Sequence, residues 1–467
     1  MRILYKIANK LFRIVKKILK LLTSRMVIIG VALLLEFCWL AGIMMQLNEK
    51  SVYINYAVTI LSLIAVLSII NNPKMNPGYK LMWAVCILAL PVTGICLYGI
   101  LGHSSVARKF RTHYDTVLLS QGGVLGEEEE TRKKLEEENI LAAGQSSYLT
   151  NYAHYPVYVN TETEYYPLGD VWFEHFIEEL KKAEHYIFME YFIISEGYLW
   201  DTVLEILKEK AAAGVDVRVI YDDFGCVTTL PYQYYKSLQQ MGIKCAAFNQ
   251  FRPVLNVILN NRDHRKIAVI DGHTAFTGGI NLADEYINRK ERFGHWKDSG
   301  ICLHGEAVWS FTVMFLQMWN ITERQPEDYA KYLTEKQPGF SRKDGYIIPY
   351  GDSPFDHENV GEEVYFHILN HAKKYVHIMT PYLILDNEMI DALTRAAKGG
   401  IEVQIIMPHI PDKPYAFYLA KTYYEELIAG GVEIYEYTPG FVHAKVFTSD
   451  DDTATVGSIN LDYRSLY

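Results

Sequence analysis

Two short blocks of this chain have the residue types and spacing needed for chemistry at phosphorus. In each block a histidine is followed two residues later by a lysine and seven residues later by an aspartate. The blocks are His264, Lys266 and Asp271, then His443, Lys445 and Asp450. Every member of the second block lies 179 positions after its counterpart. A single histidine on an apolar strand is ordinarily a core residue, but a block repeated with its spacing intact points to a shared site.

Two histidines and two lysines at one interface suit the cleavage of a phosphodiester. One imidazole can attack phosphorus and form a phosphohistidine, while the other protonates the leaving alkoxide and then deprotonates an incoming alcohol or water. The lysine ammonium groups neutralise the non-bridging oxygens as charge develops. The residues alone leave open which histidine is the nucleophile. They offer no obvious metal cluster and no C-x-x-C pair among the six cysteines, so we expect no metal and no cofactor.

Further residues are expected to bind the phosphate or to support the histidines. Gly279 and Ser458 lie in segments that allow close backbone approach, and the Asn281 and Asn460 amides can donate to a phosphate. Asp298 is expected to orient His264 through the far ring nitrogen, which fixes the tautomer and stabilises the imidazolium.

Asp271 and Asp450 are placed among the catalytic residues because each completes its block. Both lie five residues after the lysine, an odd number of steps from the histidine face of a strand. A structural role in a turn or a salt bridge therefore remains open beside the catalytic one.

The elements that position both blocks alternate between strands and helices. The apolar run 186–194 predicts a strand that is covered on both faces. We predict a helix over 199–213 that ends at Gly214, and a strand over 264–271 with His264 and Lys266 on one face. The second half repeats the pattern, with helices over 360–374 and 387–398. We therefore expect an α/β fold of two similar units related by a pseudo-twofold axis, with the site between them.

The first hundred residues have a different character from the rest of the chain. Residues 1–25 form a basic amphipathic leader suited to an anionic membrane surface, with a transit peptide as the weaker alternative. Apolar runs follow at 26–47, 52–71 and 81–101, each near the roughly 20 residues that a bilayer span needs. Glu36 lies within the first run and is expected to face another helix or to be protonated.

The length and the net charge of the chain limit the number of domains and the class of partner that we expect. A chain of 467 residues exceeds one ordinary core, and a net charge of −10 argues against a nucleic-acid partner. We divide the chain into a leader (1–25), transmembrane helices (26–103), a linker (104–150) and two α/β domains (151–335 and 336–467). If the first apolar run lies on the surface or re-enters, the next two return the chain to the cytoplasm; three full spans would place the α/β domains outside.

These residues resemble the phospholipase D superfamily, whose signature is two copies of His-x-Lys-x4-Asp, and more closely the bacterial cardiolipin synthases. The resemblance covers about 50–467 and is carried by residues 261–266, 277–281, 296–298, 380–382, 443–445, 457–462 and 464–465, and by an N-terminal hairpin with 91–94 and 98–102. It implies two tandem phospholipase D-like α/β/α units preceded by transmembrane helices. It also implies a multi-pass protein of the bacterial plasma membrane, with its catalytic domains expected on the cytoplasmic side.

The resemblance further implies a reaction between two lipids. One phosphatidylglycerol donates its phosphatidyl group to His264 and releases glycerol. A second phosphatidylglycerol accepts the group to give cardiolipin, with His443 as the acid and base. Phosphatidylglycerol and anionic membrane lipid are the partners that this implies.

The chain departs from the family pattern in two respects. The first apolar run is additional to the usual two-helix hairpin. Family members also continue past Arg-Ser-Leu-Tyr to an acidic residue that would support the second histidine. A chain that ended at Tyr467 would leave His443 without that partner, and we expect instead that the C-terminus is truncated. A phospholipase D-type hydrolase and a non-catalytic membrane lipid-binding protein remain as alternatives, and a nuclease is less favoured by the acidic balance.

Overall fold

The computed structural model describes residues 25–44, 50–73, 75–102, 112, 116–117, 124–126, 128–250, 262–324, 327–333, 345–353 and 358–466. The chain divides into two compact units. One contains residues 1–110 and 252–260, and the other contains 111–251 and 261–467. The predicted basic leader lies outside the described residues, apart from Arg25 at the start of the first helix.

The described part of the first unit is helical. Its helices are α1 (Arg25–Met44), α2 (Lys50–Ile70), α3 (Pro77–Ala89) and α4 (Pro91–Leu97), followed by a π-helical turn at Tyr98–Gly102. Glu36 is buried in α1, and its Oε2 accepts a hydrogen bond of 2.7 Å from the Thr93 amide at the start of α4. The prediction that this carboxyl faces another helix is confirmed. The amide group satisfies one oxygen of a side chain that is costly to bury alone.

The third apolar run is not one helix. It breaks at Leu90 because Pro91 has no amide hydrogen and begins a new helix, so α3 has only 13 residues. Such a helix is about 20 Å long, short of the roughly 30 Å hydrocarbon core of a bilayer. Among the residues that the structure describes, no helix is both long enough and apolar enough to cross a membrane. The transmembrane helices predicted at 26–103 therefore find no support there.

The second unit is built on two mixed sheets. The strands of its first half are β1 (Thr161–Tyr166), β2 (Tyr186–Tyr191), β3 (Asp216–Asp222), β4 (Lys244–Phe248), β5 (Lys266–Ile270), β6 (Thr274–Gly278), β7 (His295–Lys297) and β8 (Gly300–Gly305). Seven of them form a sheet in the order β1-β8-β6-β5-β2-β3-β4. Strands β2, β3 and β4 run parallel, and the other neighbours pair antiparallel.

The second half repeats this arrangement. Its strands are β9 (Tyr375–Met379), β10 (Leu383–Ile384), β11 (Glu402–Pro408), β12 (Glu433–Tyr437), β13 (Gly440–Val442), β14 (Val446–Ser449), β15 (Thr453–Val456) and β16 (Leu461–Asp462). The five-stranded sheet has the order β12-β11-β9-β14-β15, which matches β4-β3-β2-β5-β6 of the first half strand for strand. The predicted duplication of an α/β unit is therefore confirmed at the level of strand order.

Helices cover the sheets. They are α5 (Glu129–Glu138), α6 (Ile140–Asn151), α7 (Gly169–Lys182), α8 (Tyr198–Ala212), α9 (Tyr234–Gln240), α10 (Val308–Glu323), α11 (Val360–His371), α12 (Asn387–Lys398), α13 (Pro414–Ala429) and α14 (Tyr463–Leu466), with 3-10 turns at Asp284–Ile287 and Tyr329–Tyr332. Helix α8 ends just before Gly214, whose φ of +94° favours glycine, as predicted. Helix α6 falls in the segment predicted as a linker, and Leu149 from it packs with Val364 and Ile368 in the core of the second half.

One short parallel pairing joins the two halves beside the histidine blocks. Strand β13 pairs with β7, so that Val442 lies opposite Lys297. The next amide, from His443, donates a hydrogen bond of 2.7 Å to the Lys297 carbonyl. The backbone of the second block is thereby fixed against the first half, next to Asp298.

The aspartates that complete the blocks lie at the far ends of β5 and β14. The Asp271 carboxylate accepts hydrogen bonds of 2.7–2.8 Å from the amides of residues 184, 185 and 186, at the start of β2. The Asp450 carboxylate accepts bonds of 2.6–3.0 Å from the amides of residues 373, 374 and 375, at the start of β9. The strand between Lys266 and Asp271 separates them by about 16 Å at 3.3 Å per residue. Both carboxylates therefore bind backbone, which supports the structural role left open for them, and a catalytic role for either stays a prediction.

Replacing Asp271 by alanine should lower the free energy of unfolding by about 2–4 kcal/mol, because three amides, one of them buried, lose their acceptor and alanine must adopt a φ of +50°. Asp450→Ala should cost less, about 1–2 kcal/mol, because water can reach the amides of Lys373 and Lys374. Urea unfolding measures both, with the exposed Asp391→Ala as the control. If the Asp271→Ala protein had full stability and had lost only its enzymatic activity, the result would support a catalytic role for Asp271.

Candidate active site

Each block begins in a loop and then enters its strand. Strand β5 starts at Lys266 and β14 at Val446, so both histidines precede the regular strand. The prediction that His264 lies on a strand is therefore wrong. Within each block the lysine ammonium donates to the backbone carbonyl of its own histidine, Lys266 to His264 and Lys445 to His443. The two blocks thus have the same local fold.

Asp298 binds the second histidine and not the first. Its Oδ2 lies 2.7 Å from Nδ1 of His443, and its Oδ1 accepts a bond of 2.8 Å from the Ser299 amide. The expectation that Asp298 orients His264 is corrected, because this carboxylate binds His443 instead. The side chain is fully buried, yet the pKa of Asp298 is lowered, because the charges and hydrogen bond of His443 and the charge of Lys445 outweigh the effect of burial.

The first histidine has a neutral partner. Nδ1 of His264 lies 3.1 Å from the backbone carbonyl of Ser458. A carbonyl only accepts, so Nδ1 carries the hydrogen and Nε2 keeps its lone pair. Burial first, and then the charges of Lys266 and Lys445, lower the pKa of His264 well below its usual range. Ser458, predicted to support the phosphate, therefore supports this imidazole through its main chain.

The two lysines are buried close to each other. Burial, and then the charge of Lys445, lower the pKa of Lys266 well below its usual range, while Asp263 and Asp298 oppose the shift. Burial likewise lowers the pKa of Lys445 to about 7, opposed first by Asp298 and then by Asp412. Asp298 therefore counters the positive charge of both lysines as well as holding His443.

Gly279 makes room for the Asp298 carboxylate. A Cβ atom at position 279 would lie 2.1 Å from Asp298 Oδ1 and 3.0 Å from the His443 carbonyl oxygen. The lack of a side chain at Gly279 thus serves the Asp298–His443 pair, and phosphate binding by this glycine stays a prediction.

The two asparagines differ in their surroundings. Asn281 accepts a bond of 2.9 Å from the Ile193 amide and donates one of 2.8 Å to the Tyr286 hydroxyl. Asn460 is also buried, and its Oδ1 has no hydrogen-bond partner within the described part of the chain. Phosphate binding by either side chain stays a prediction.

Aromatic rings enclose both imidazoles. The rings of Tyr286, Trp296 and Phe441 lie 5.4, 5.6 and 5.9 Å from the His443 ring. Phe192 lies 4.9 Å from the His264 ring. His443 is buried among its three rings, and this burial is the largest cause that lowers its pKa to about 4. Both imidazoles are therefore neutral near pH 7 before an anion binds.

Sequence reasoning missed a buried acidic pair beneath the first block. Glu190 of β2 and Asp263 are both buried, and Glu190 Oε1 lies 3.7 Å from the Arg265 guanidinium. Burial and the neighbouring carboxyl raise the pKa of Glu190 well above its usual range. The signal was a lone glutamate within the apolar run of β2, since such a residue is rarely buried without a partner. The charge of Asp263 also opposes the lowering of the Lys266 pKa.

Comparison with known proteins agrees with this arrangement. The sequence model of the family described as "Cardiolipin synthase, PLD-like domain" matches residues 176–319 and 365–467, and the one described as "Phospholipase_D-nuclease N-terminal" matches 60–103. An uncharacterized protein of Streptococcus mutans is 47% identical, over 86% of this chain and 87% of its own.

Two named relatives are similar over most of their length. The cardiolipin synthase of Alkalihalophilus pseudofirmus is 32% identical, over 87% of this chain and 81% of its own. Cardiolipin synthase 2 of Bacillus anthracis is 34% identical, over 84% of this chain and 76% of its own. With a family match over more than half of its residues, the chain belongs to the cardiolipin synthase family of proteins with phospholipase D-like domains.

Proposed function

We propose that this protein is a phosphatidyltransferase that makes cardiolipin and glycerol from two molecules of phosphatidylglycerol. The observation that carries the proposal is the pair of His-x-Lys blocks, which fold alike, contain two buried lysines and have one histidine held by Asp298. Two neutral imidazoles and two amines at one place can bind, cleave and rebuild a phosphodiester. Membership of the cardiolipin synthase family supports the same substrate class.

In the first step, Nε2 of His264 attacks phosphorus and the bond from phosphorus to the glycerol oxygen breaks. His443 takes up a proton when the anionic lipid binds and delivers it to the departing glycerol oxygen. The ammonium groups of Lys266 and Lys445 hold the non-bridging oxygens. The products of this step are glycerol and a phosphatidyl group bonded to His264.

In the second step, a hydroxyl of another phosphatidylglycerol returns its proton to His443. The hydroxyl oxygen attacks phosphorus, and the bond to His264 breaks. The partners of the two rings favour this division of roles. The Asp298 carboxylate stabilises an imidazolium at His443, whereas the Ser458 carbonyl offers His264 no charge.

Both substrates are bilayer lipids, so we propose that the enzyme works at a membrane surface. The match of residues 60–103 to the N-terminal family model supports association through the first unit. Water as the acceptor would make the same residues a phospholipase D-type hydrolase, and a chain that only binds lipid would make neither product. Purified full-length protein in phosphatidylglycerol vesicles separates the three: cardiolipin with glycerol supports the synthase, phosphatidic acid the hydrolase, and no product the lipid-binding protein.

His264→Ala should reduce cardiolipin formation by at least about 10³-fold, because no other group replaces the nucleophile. With phosphatidylglycerol labelled at phosphorus, wild-type protein should carry an acid-labile label that His264→Ala lacks. His377→Ala is the matched control, since this imidazole pairs with Glu402 at the surface. A label retained by His264→Ala and lost from His443→Ala would assign the nucleophile to His443 and contradict the proposal.

Asp298→Asn should lower kcat by about 10²–10⁴-fold with little change in KM, because the amide cannot stabilise a charged His443. The variant keeps an acceptor for the Ser299 amide but loses the charge that opposes those of Lys266 and Lys445, so its thermal unfolding temperature should also fall. Activity is therefore compared at a temperature at which both proteins are folded, and a kcat near that of the wild type there would show a purely structural role for Asp298.

The activity should fall as pH rises through about 7. Burial lowers the pKa of Lys445 to about 7, so the ammonium is charged below that pH and neutral above it. An uncharged amine does not attract the phosphate, and kcat/KM reports this titration in the free enzyme. Lys445→Arg keeps its charge, so whatever activity it retains should lose this alkaline decline. A wild-type profile that is flat from pH 6 to about pH 9 would contradict the assignment.

A further inference from the structure

A second group of coordinating side chains lies outside the site described above. His175 and Glu179 are four residues apart on one face of α7, and His304 comes from β8. The ligand atoms of these three side chains all lie within 4.8 Å of one another. Cys302 is two residues earlier on the same strand, with Sγ 3.3 Å from Nε2 of His304. Two imidazoles, a carboxylate and a thiol thus converge between a helix and a strand.

We propose that these four side chains bind a zinc-type divalent ion that fastens α7 to β8. Zinc is held tetrahedrally by nitrogen, sulfur and oxygen, and bond lengths of about 2.0–2.3 Å place neighbouring ligand atoms about 3.3–3.6 Å apart. Nε2 of His175 is 3.4 Å from Oε1 of Glu179, and Sγ of Cys302 is 3.3 Å from Nε2 of His304. Each half of the group already has that spacing, and side-chain shifts of about 1 Å would bring the halves around one ion.

Neighbouring hydroxyls occupy the other nitrogen of each imidazole. Nδ1 of His304 lies 3.0 Å from Oγ1 of Thr274, and Nδ1 of His175 is hydrogen-bonded to the Tyr166 hydroxyl. Both rings are therefore oriented with Nε2 toward the centre of the group. A hydrogen bond at one ring nitrogen that orients the other toward the ion is the usual support of a histidine ligand.

One cation competes for the carboxylate. Lys182 donates to Oε1 of Glu179 at 2.5 Å. The lysine side chain is 66% exposed, whereas the glutamate side chain is only 7% exposed, so the ammonium can withdraw into solvent while the carboxylate stays. The ion replaces the charge of Lys182, and Cys302 binds as thiolate after releasing its proton to solvent. Glu164, 3.5 Å from Nδ1 of His175, lies on the outer side of that ring.

The position of this site gives the ion a structural role. Strand β8 begins at Gly300, directly after Asp298 and Ser299. An ion that ties β8 to α7 would steady the segment from which Asp298 reaches His443. The site takes no part in the proposed reaction, so metal binding and lipid transfer can be tested separately.

Tag-free full-length protein should be stripped with a chelator, dialysed and titrated with Zn²⁺ against a chromophoric chelator. We expect one ion per chain, with affinity at least about 100-fold weaker in His175→Ala and in His304→Ala. Cobalt should give the strong visible bands of a tetrahedral site, and Cys302→Ser should lose the sulfur-to-cobalt charge-transfer band. His185→Ala, which removes an exposed imidazole, is the control and should bind zinc like the wild type.

A surface variant makes the test independent of folding. Lys182→Met removes the competing ammonium and keeps the aliphatic stem, so it should tighten zinc binding by about 10-fold. Zinc should also raise the thermal unfolding temperature of the wild type and leave that of the His175→Ala, His304→Ala double variant unchanged. The proposal is overturned if the stripped protein binds no zinc, or if the double variant binds as tightly as the wild type.

Discussion

The site depends on one buried charge, the carboxylate of Asp298. Two lysines and two histidines are crowded within a water-poor interior, where like charges repel strongly and each cation loses its hydration. Asp298 binds His443 directly, and its negative charge favours the protonated forms of Lys266 and Lys445. It can take this position because residue 279 has no Cβ, since any larger side chain would overlap the carboxylate. The Asp298 carboxylate thus offsets the repulsion within the cluster of histidines and lysines, and the cluster can still bind an anionic substrate.

The duplicated fold produces an unequal pair of histidines. Both blocks share strand order and the lysine-to-carbonyl bond, but the rings meet different partners: a carboxylate at His443 and the carbonyl of Ser458 at His264. A charged partner favours an imidazolium, and a neutral partner favours the unprotonated ring that a nucleophile needs. The pairing of β13 with β7 sets this inequality, because it places His443 next to the residue that follows Lys297. The different roles proposed for His264 and His443 therefore follow from the way in which the two halves pack against each other.

The aspartates of the repeated blocks show how a motif can be shared for structural reasons. Asp271 and Asp450 each adopt positive φ and accept three amide hydrogen bonds from the start of a neighbouring strand. Amides at the start of a strand have no partner in the sheet ladder, so a carboxylate at the adjacent turn satisfies them. Glu36 meets a similar need in the other unit, where it binds an amide in the first turn of a helix. These three acidic residues thus complete backbone hydrogen bonding.

Much of the architecture could be predicted from local pattern. Apolar runs, glycine stops and the constant offset between His264 and His443 predict the strands, the helix ends and the duplication, because these depend on neighbours in the chain. Whether Asp298 meets the first or the second histidine could not be predicted in this way, because Asp298 and His443 are 145 residues apart in the sequence and meet beside the β7–β13 pairing. The roles of Gly279 and Asp271 could not be predicted either, because their partners come from other segments of the chain. The sequence by itself determined which groups are available for phosphoryl transfer. The tertiary structure decided which of them share a proton, a charge or a backbone bond, because those interactions depend on distances of a few ångströms between segments far apart in the chain.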